Sequence, residues 1–248
     1  MRVADGVEML EVTQDIMGRT STICPALLWD SQDVILVDAG FPGQLALFQQ
    51  AMAKAGVPLQ KLTKVLITHQ DIDHIGSLAD IVAAAGHPVE VLCSEGEKPY
   101  IQGEKTPIKM TPEAIEKFTA GMPPEVREER MKSVKARLAN LPKARVDRTF
   151  KHGDELPLCG GIVVIDTPGH TPWHVSLYHT PSRTLISGDA LTAAEGVLNP
   201  PSPGATLDVP LALKSLKTLA PFDIANVIAY HGGLVRTNIR QRISELAG

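Results

Sequence analysis

Cysteine is scarce in this sequence. Cys24, Cys93 and Cys159 are the only three, isolated from one another and outside any C-x-x-C pairing. Neither a disulfide framework nor a cysteine zinc site is signalled. Aromatic residues make up only 4% of the chain against 44% hydrophobic residues in all, so the core must be mainly aliphatic. No apolar run approaches the ~18 residues of a membrane span. The opening "MRVADGVEMLEVTQDIMG" carries acids throughout and lacks the basic-then-apolar layout of a secretory leader. A formal charge of -4 gives no general reason to expect nucleic acid or an anionic membrane as partner. The expectation is a soluble, cytoplasmic protein; its 248 residues suffice for one large or two small domains.

What is present is a series of short β-type runs, each closed by a turn or a polar cluster. "DVILVDAG", "KVLITHQDIDH" and "VEVLCSEGE" come first; "GIVVIDTPGH", "VSLYHT", "RTLISGDA" and "NVIAYHGG" follow a long middle segment. Helical stretches lie between them: "GQLALFQQAMAKAG" stops at Gly56, "IGSLADIVAAAG" at Gly86, and "VPLALKSLKTLA" before Pro221. Aliphatic runs interleaved with helices predict sheets covered by helices. A helical insertion is expected at about 98–146. Within it, Thr111-Pro112-Glu113 reads as an N-cap, a first-turn proline and an early acid. The stretch 111–142 reads as a wet insertion, a cap over a pocket or a dimer contact. Its basic residues Lys132, Lys135 and Arg137, with Lys143 and Arg145 beyond, could form an RNA-binding face, but Glu125, Glu128 and Glu129 beside them favour a solvated helix.

Five places share one pattern, in which an apolar strand stops and a metal-competent side chain follows. They are Asp38, the cluster His69-Asp71-Asp73-His74 in "THQDIDHIG", His170 in "TPGHTP", Asp189 in "ISGDA" and His231 in "IAYHGG". Ligands on loops at strand ends can converge on a point while the strands stay rigid behind them. "DAG" or "GDA" alone would be an ordinary turn. A bland loop has no reason to gather four ligands within six residues, as "HQDIDH" does.

The ordered set D, H-x-x-x-D-H, G-H-T-P, G-D and a late His resembles the metallo-β-lactamase superfamily of hydrolases from about Asp38 to His231. The resemblance implies one domain over 1–248: an α/β fold, an αβ/βα four-layer sandwich of two facing mixed sheets with outer helices. It implies a dinuclear site, with His69, Asp71 and His170 on a first divalent ion, Asp73, His74 and His231 on a second, and Asp189 bridging. Asp38 would orient a ligand from behind, and His174 would be structural. Asp73 and Asp189 would act in catalysis, through a hydroxide bridging two ions about 3.5–4 Å apart.

Asp71 stands where the superfamily usually has the second histidine of H-x-H-x-D-H. Two zinc ions are the expectation, with manganese or iron admitted by this harder oxygen donor. The implied reaction is hydrolysis of a lactone or carboxylic ester, with phosphoester, thioester and β-lactam substrates as alternatives. A non-hydrolytic redox or metal-binding protein on the same fold is the contrasting class. Thr192 occupies the position where some lactonases of the superfamily carry a tyrosine. Trp173, Leu198 and Asn199 are the expected pocket contacts. The expected partner is a small-molecule substrate, with neither nucleic acid nor membrane, and a homodimer is open.

Overall fold

The computed structural model describes residues 1–16 and 19–248. The side chain of Arg137, part of the basic stretch noted above, lies outside what is described. A seven-stranded sheet runs in the order Arg2–Ala4, Val7–Met9, Ala26–Trp29, Val34–Val37, Lys64–Ile67, Glu90–Ser94, Arg148–Phe150. Its first three pairings are antiparallel and its last three parallel. A six-stranded sheet follows: Glu155–Leu156, Ile162–Asp166, Val175–His179, Thr184–Ile186, Asn226–Ala229, Gly233–Val235. One of its pairings, Thr184–Ile186 with Asn226–Ala229, is parallel. Both sheets are therefore mixed, as expected.

The layers follow from strand alternation. In "VILV", Val34 and Leu36 join a core with the helix residues Phe48, Met52, Leu78 and Ile81. Ile35 and Val37 point the other way, into a core shared with Val164, Leu177, Ile186 and Ile228 of the second sheet. The second sheet repeats this: Val164 faces the first sheet while Ile165 packs with Leu216, Leu219, Ile239 and Ile243 of the outer helices. Helix, sheet, sheet, helix is the order that results, the αβ/βα sandwich. The two predicted glycine stops hold: Gly56 and Gly86 adopt φ +79° and +76°, which a side chain would strain.

Between the neighbouring parallel strands Glu90–Ser94 and Arg148–Phe150 runs the helical segment. It comprises Lys98–Ile101, a 3-10 turn at Ile108–Met110, Pro112–Thr119 and the charged Pro124–Leu138. Thr111 caps the third of these by accepting from the Ala114 amide. Lys132 and Glu128 pair across one turn of the last, on its solvent side. No helix among the described residues is long and apolar enough to cross a membrane.

Candidate metal centre

All the strand-end residues predicted from the sequence arrive at one edge of the sandwich. The segment 69–74 leaves strand Lys64–Ile67, His170 follows Ile162–Asp166, Asp189 follows Thr184–Ile186, and His231 follows Asn226–Ala229. They fall into two groups, His69–His170–Asp189 and Asp73–His74–His231, with donor atoms within 4.8 Å of one another in each. Asp189 reaches both. Its Oδ2 lies 3.2 Å from His170 Nε2, and its Oδ1 lies 3.4 Å from His74 Nε2 and 3.6 Å from His231 Nε2. Asp71 Oδ2 borders the first group, 3.3 Å from His69 Nε2 and 3.0 Å from His170 Nε2. Asp73 Oδ2 is 3.1 Å from His231 Nε2.

The hydrogen bonds behind the imidazoles fix which nitrogen faces inward. Asp38 accepts from the Thr68 amide and hydroxyl, and its Oδ2 lies 2.9 Å from His74 Nδ1. Since the Thr68 hydroxyl donates to Asp38, it accepts from His69 Nδ1 at 3.0 Å. The Thr206 hydroxyl donates to Ser202 and so accepts from His170 Nδ1. All three rings therefore give an Nδ1 proton to these acceptors and turn Nε2 towards the centre. Asp38 sustains its role at φ +65°, a left-handed conformation uncommon for a side-chain-bearing residue. His174 is not turned inward in this way: its Nε2 accepts from the Asp189 amide and its Nδ1 faces Thr167 Oγ1. It holds the Asp189 loop. Gly188 between them leaves no room for a side chain, because a Cβ there would lie 2.6 Å from His174 Nε2.

Three buried atoms in this centre have no hydrogen-bond partner: His69 Nε2, His74 Nε2 and Asp189 Oδ1. Leaving such atoms unpaired costs about 1–3 kcal/mol each, more when charged. Burial disfavours a proton on His74, yet Asp38, Asp189 and Asp73 around it raise its pKa well above the ordinary range. Carboxylates crowding the inward-facing nitrogens create a field that draws positive charge. Imidazole nitrogens with carboxylate oxygens are also a donor set suited to divalent transition metals. The residues fit bound cations.

The superfamily comparison agrees with this arrangement. The family pattern of the metallo-beta-lactamase superfamily matches residues 26–231, most of the chain and every residue of both groups. This chain is a member of the metallo-β-lactamase superfamily. The probable metallo-hydrolase YflN of Bacillus subtilis (strain 168) is 28% identical over 232 residues, spanning 86% of this chain and 81% of YflN. The metallo-beta-lactamase fold-containing protein ST1585 of Sulfurisphaera tokodaii is 28% identical over 211 residues, 84% of this chain and 71% of its own. The structure of the family protein TTHA1429 from Thermus thermophilus superposes with TM-score 0.73 at 23% identity, covering 99% of this chain and 79% of that one.

Around this superfamily centre stand residues that the sequence reading missed. Glu97 is fully buried. Its carboxylate accepts from the Gln70 amide at 3.1 Å, the Gln70 side chain at 2.7 Å and the Thr171 hydroxyl at 2.6 Å. Gln70 Oε1 in turn accepts from the Ile108 amide. One carboxylate thus ties the His69–Asp71 turn, the His170 turn and the helical segment together. Glu97 follows strand "VEVLCS" at its carboxyl end, so the strand-end pattern that marked the other acids could have found it. Tyr230 packs its ring on His74 and donates to the Asp73 carbonyl at 2.5 Å. Lys109 reaches Asp71 and His170, and nothing in "PIKMTP" announces it.

Burial pushes the Glu97 carboxyl from an ordinary 4.5 up to about 7, against the bonds from Thr171 and Gln70. The folded protein then holds a proton that the unfolded chain releases. This contribution to stability is complete below pH 4.5 and is lost as pH rises through about 7. Urea unfolding should show the protein losing stability relative to Glu97→Gln across that window, by at most about 1.4 kcal/mol per pH unit. A difference that stays constant with pH would show that Glu97 is not raised.

A cavity of about 330 Å³ opens over Asp71 and Asp73. Its walls come from the helical segment, including Met110, Ile115, Phe118, Val134 and Leu141, and from Gly204 and Ala205. Trp173, Leu198 and Asn199, the expected pocket contacts, do not line this cavity. Leu198 is 1% exposed and packs in the core beneath the second sheet, with Leu191 and Ile239. Strand alternation in the Thr192–Ala194 and Val197–Asn199 hairpin turns it away. Asn199 pairs with Thr192 across that hairpin and does not line the cavity. Trp173 is 42% exposed and stacks behind Tyr100, which does line it. The proline-rich loop after Asp189 reaches the site further along, through Gly204, Ala205 and Thr206.

Proposed function

We propose that this superfamily member is a metal-dependent hydrolase of carboxylic esters or lactones with an apolar acyl tail. The superfamily match and the relatives named as probable metallo-hydrolases support the general class. The observation that carries the reading is the set of buried, unpartnered nitrogen and oxygen atoms of His69, His74 and Asp189, gathered beside Asp71 and Asp73, which line a largely apolar cavity. His69, Asp71 and His170 would hold one divalent ion, Asp73, His74 and His231 a second, with Asp189 shared. Bound ions of this kind supply Lewis acidity and lower the pKa of water towards neutrality. Zinc suits the imidazoles, and Asp71 extends the choice to manganese or iron. Asp38, Thr68 and Thr206 keep the imidazole lone pairs aimed inward, and Asp189 and Asp73 keep the centre anionic enough to retain cations. A cytoplasmic setting fits three buried, unpaired cysteines.

The cavity wall is what favours an apolar substrate. Lys109 is the one cation in its lining among the described residues, and the remainder is largely aliphatic and aromatic. Burying a methylene contributes about 0.8 kcal/mol. On a series of p-nitrophenyl esters from acetate to decanoate, kcat/KM should rise about fourfold per methylene until the cavity is full. Equal efficiency on short and long chains would rule out the acyl pocket.

A further inference from the structure

Lys109 projects from the Ile108–Met110 turn onto two atoms of the first ligand group. Its Nζ lies 2.5 Å from Asp71 Oδ2 and 2.7 Å from His170 Nε2. The His170 ring carries its proton on Nδ1, towards Thr206, so Nε2 offers a single lone pair. One lone pair serves one partner at a time: the ammonium of Lys109 or a metal ion. The same ammonium also occupies Asp71 Oδ2, the carboxylate oxygen that faces His69 and His170. The ammonium is an incomplete substitute for an ion, since His69 Nε2 in the same group stays without a partner. The second group differs, for Asp73 is paired among the described residues with histidines only.

We propose that Lys109 is a built-in competitor for the first metal position. An ion binds at His69–Asp71–His170 only as the ammonium leaves, so the Asp73–His74–His231 group fills first and more tightly. This rests on the metal-centre reading of the site. The competitor belongs to the segment that walls the cavity, and its neighbour Ile108 is tied through Gln70 to the loop bearing Asp71. Loading the first position therefore changes how the cap meets the site. The four-carbon stem of Lys109 allows the ammonium to move into the cavity without unfolding the turn.

Cobalt(II) titrated into the chelator-stripped protein and into Lys109→Met, followed by calorimetry and visible absorption, tests this. The unaltered protein should fill in two steps. In Lys109→Met the weaker step should tighten about tenfold, as one charge-assisted hydrogen bond is no longer displaced, and the tighter step should stay as it was. An unaltered protein that stops at one ion while Lys109→Met takes two is the same result in stronger form. Two equally tight steps in the unaltered protein, or a weaker constant unmoved by the substitution, would overturn the proposal. Should Lys109→Met not fold, hydrogen exchange in the unaltered protein decides. Amides of Ile108–Met110 should respond to the second equivalent of cobalt and not to the first, and an unchanged turn overturns the competition. Failure of either folded protein to bind any cobalt would remove the metal-centre reading itself, and this inference with it.

Discussion

Asp189→Asn should lower hydrolysis about a thousandfold or more, equivalent to about 4 kcal/mol of transition-state stabilisation, while leaving the fold intact. Among the described residues, Asp189 is the one side chain whose two oxygens address both ligand groups, at 3.2 Å from His170 on one side and 3.4 Å from His74 on the other. Burial disfavours its ionisation, but His170, His74 and His231 hold its carboxyl well below the ordinary range. It therefore supplies a full negative charge to the midpoint of the site. Asparagine keeps the volume and removes the charge. The backbone at this position is secured independently, by the Asp189 amide donating to His174 Nε2. Circular dichroism and a melting curve close to those of the unaltered protein, with kcat reduced by orders of magnitude, are the expected pair of results. Full activity in this variant would mean that the shared carboxylate has no part in the chemistry.

Chelation should have the second large effect. Activity should fall to background and return on adding a divalent ion, and the melting temperature should drop with it. The reason is the three buried atoms without partners, His69 Nε2, His74 Nε2 and Asp189 Oδ1, together with the carboxylates that crowd them. A ligand present at a hundred times its dissociation constant stabilises the folded state by about 2.7 kcal/mol per site. For a chain of this size that corresponds to about 5–10 °C in melting temperature. Calorimetry before and after exhaustive dialysis against chelator makes the measurement. Undiminished activity with an unmoved melting temperature would defeat the metal-dependent reading.

These expectations draw unequally on sequence and structure. The gathering of metal-competent side chains was legible because each member follows an aliphatic strand, and a parallel or mixed sheet brings the carboxyl ends of such strands to a common edge. "VILV" and "KVLI" are buried on both faces, and that is why they read as continuous apolar runs instead of alternating ones. The Thr111 cap and the stops at Gly56 and Gly86 were legible too, as local backbone requirements that few residue types satisfy. Leu198 shows where such reading fails. Its neighbourhood to Asp189 in sequence suggested the pocket, but a two-stranded hairpin reverses facing at every residue, and nothing in "GVLNPP" fixes which face meets the cavity.

The layered fold and the donors of the centre were written in the order of residues, since both follow from periodicity and from residue type at strand ends. What surrounds those donors was settled by the folded chain. Glu97 lies 27 residues from Gln70 and 74 from Thr171; Lys109 lies 38 from Asp71 and 61 from His170. Such partnerships depend on how a segment joining two neighbouring parallel strands folds back over the sheet edge, which no short-range pattern encodes. The walls of the cavity, the buried carboxylate that links three loops and the ammonium set against Asp71 all arise from that one return of the chain.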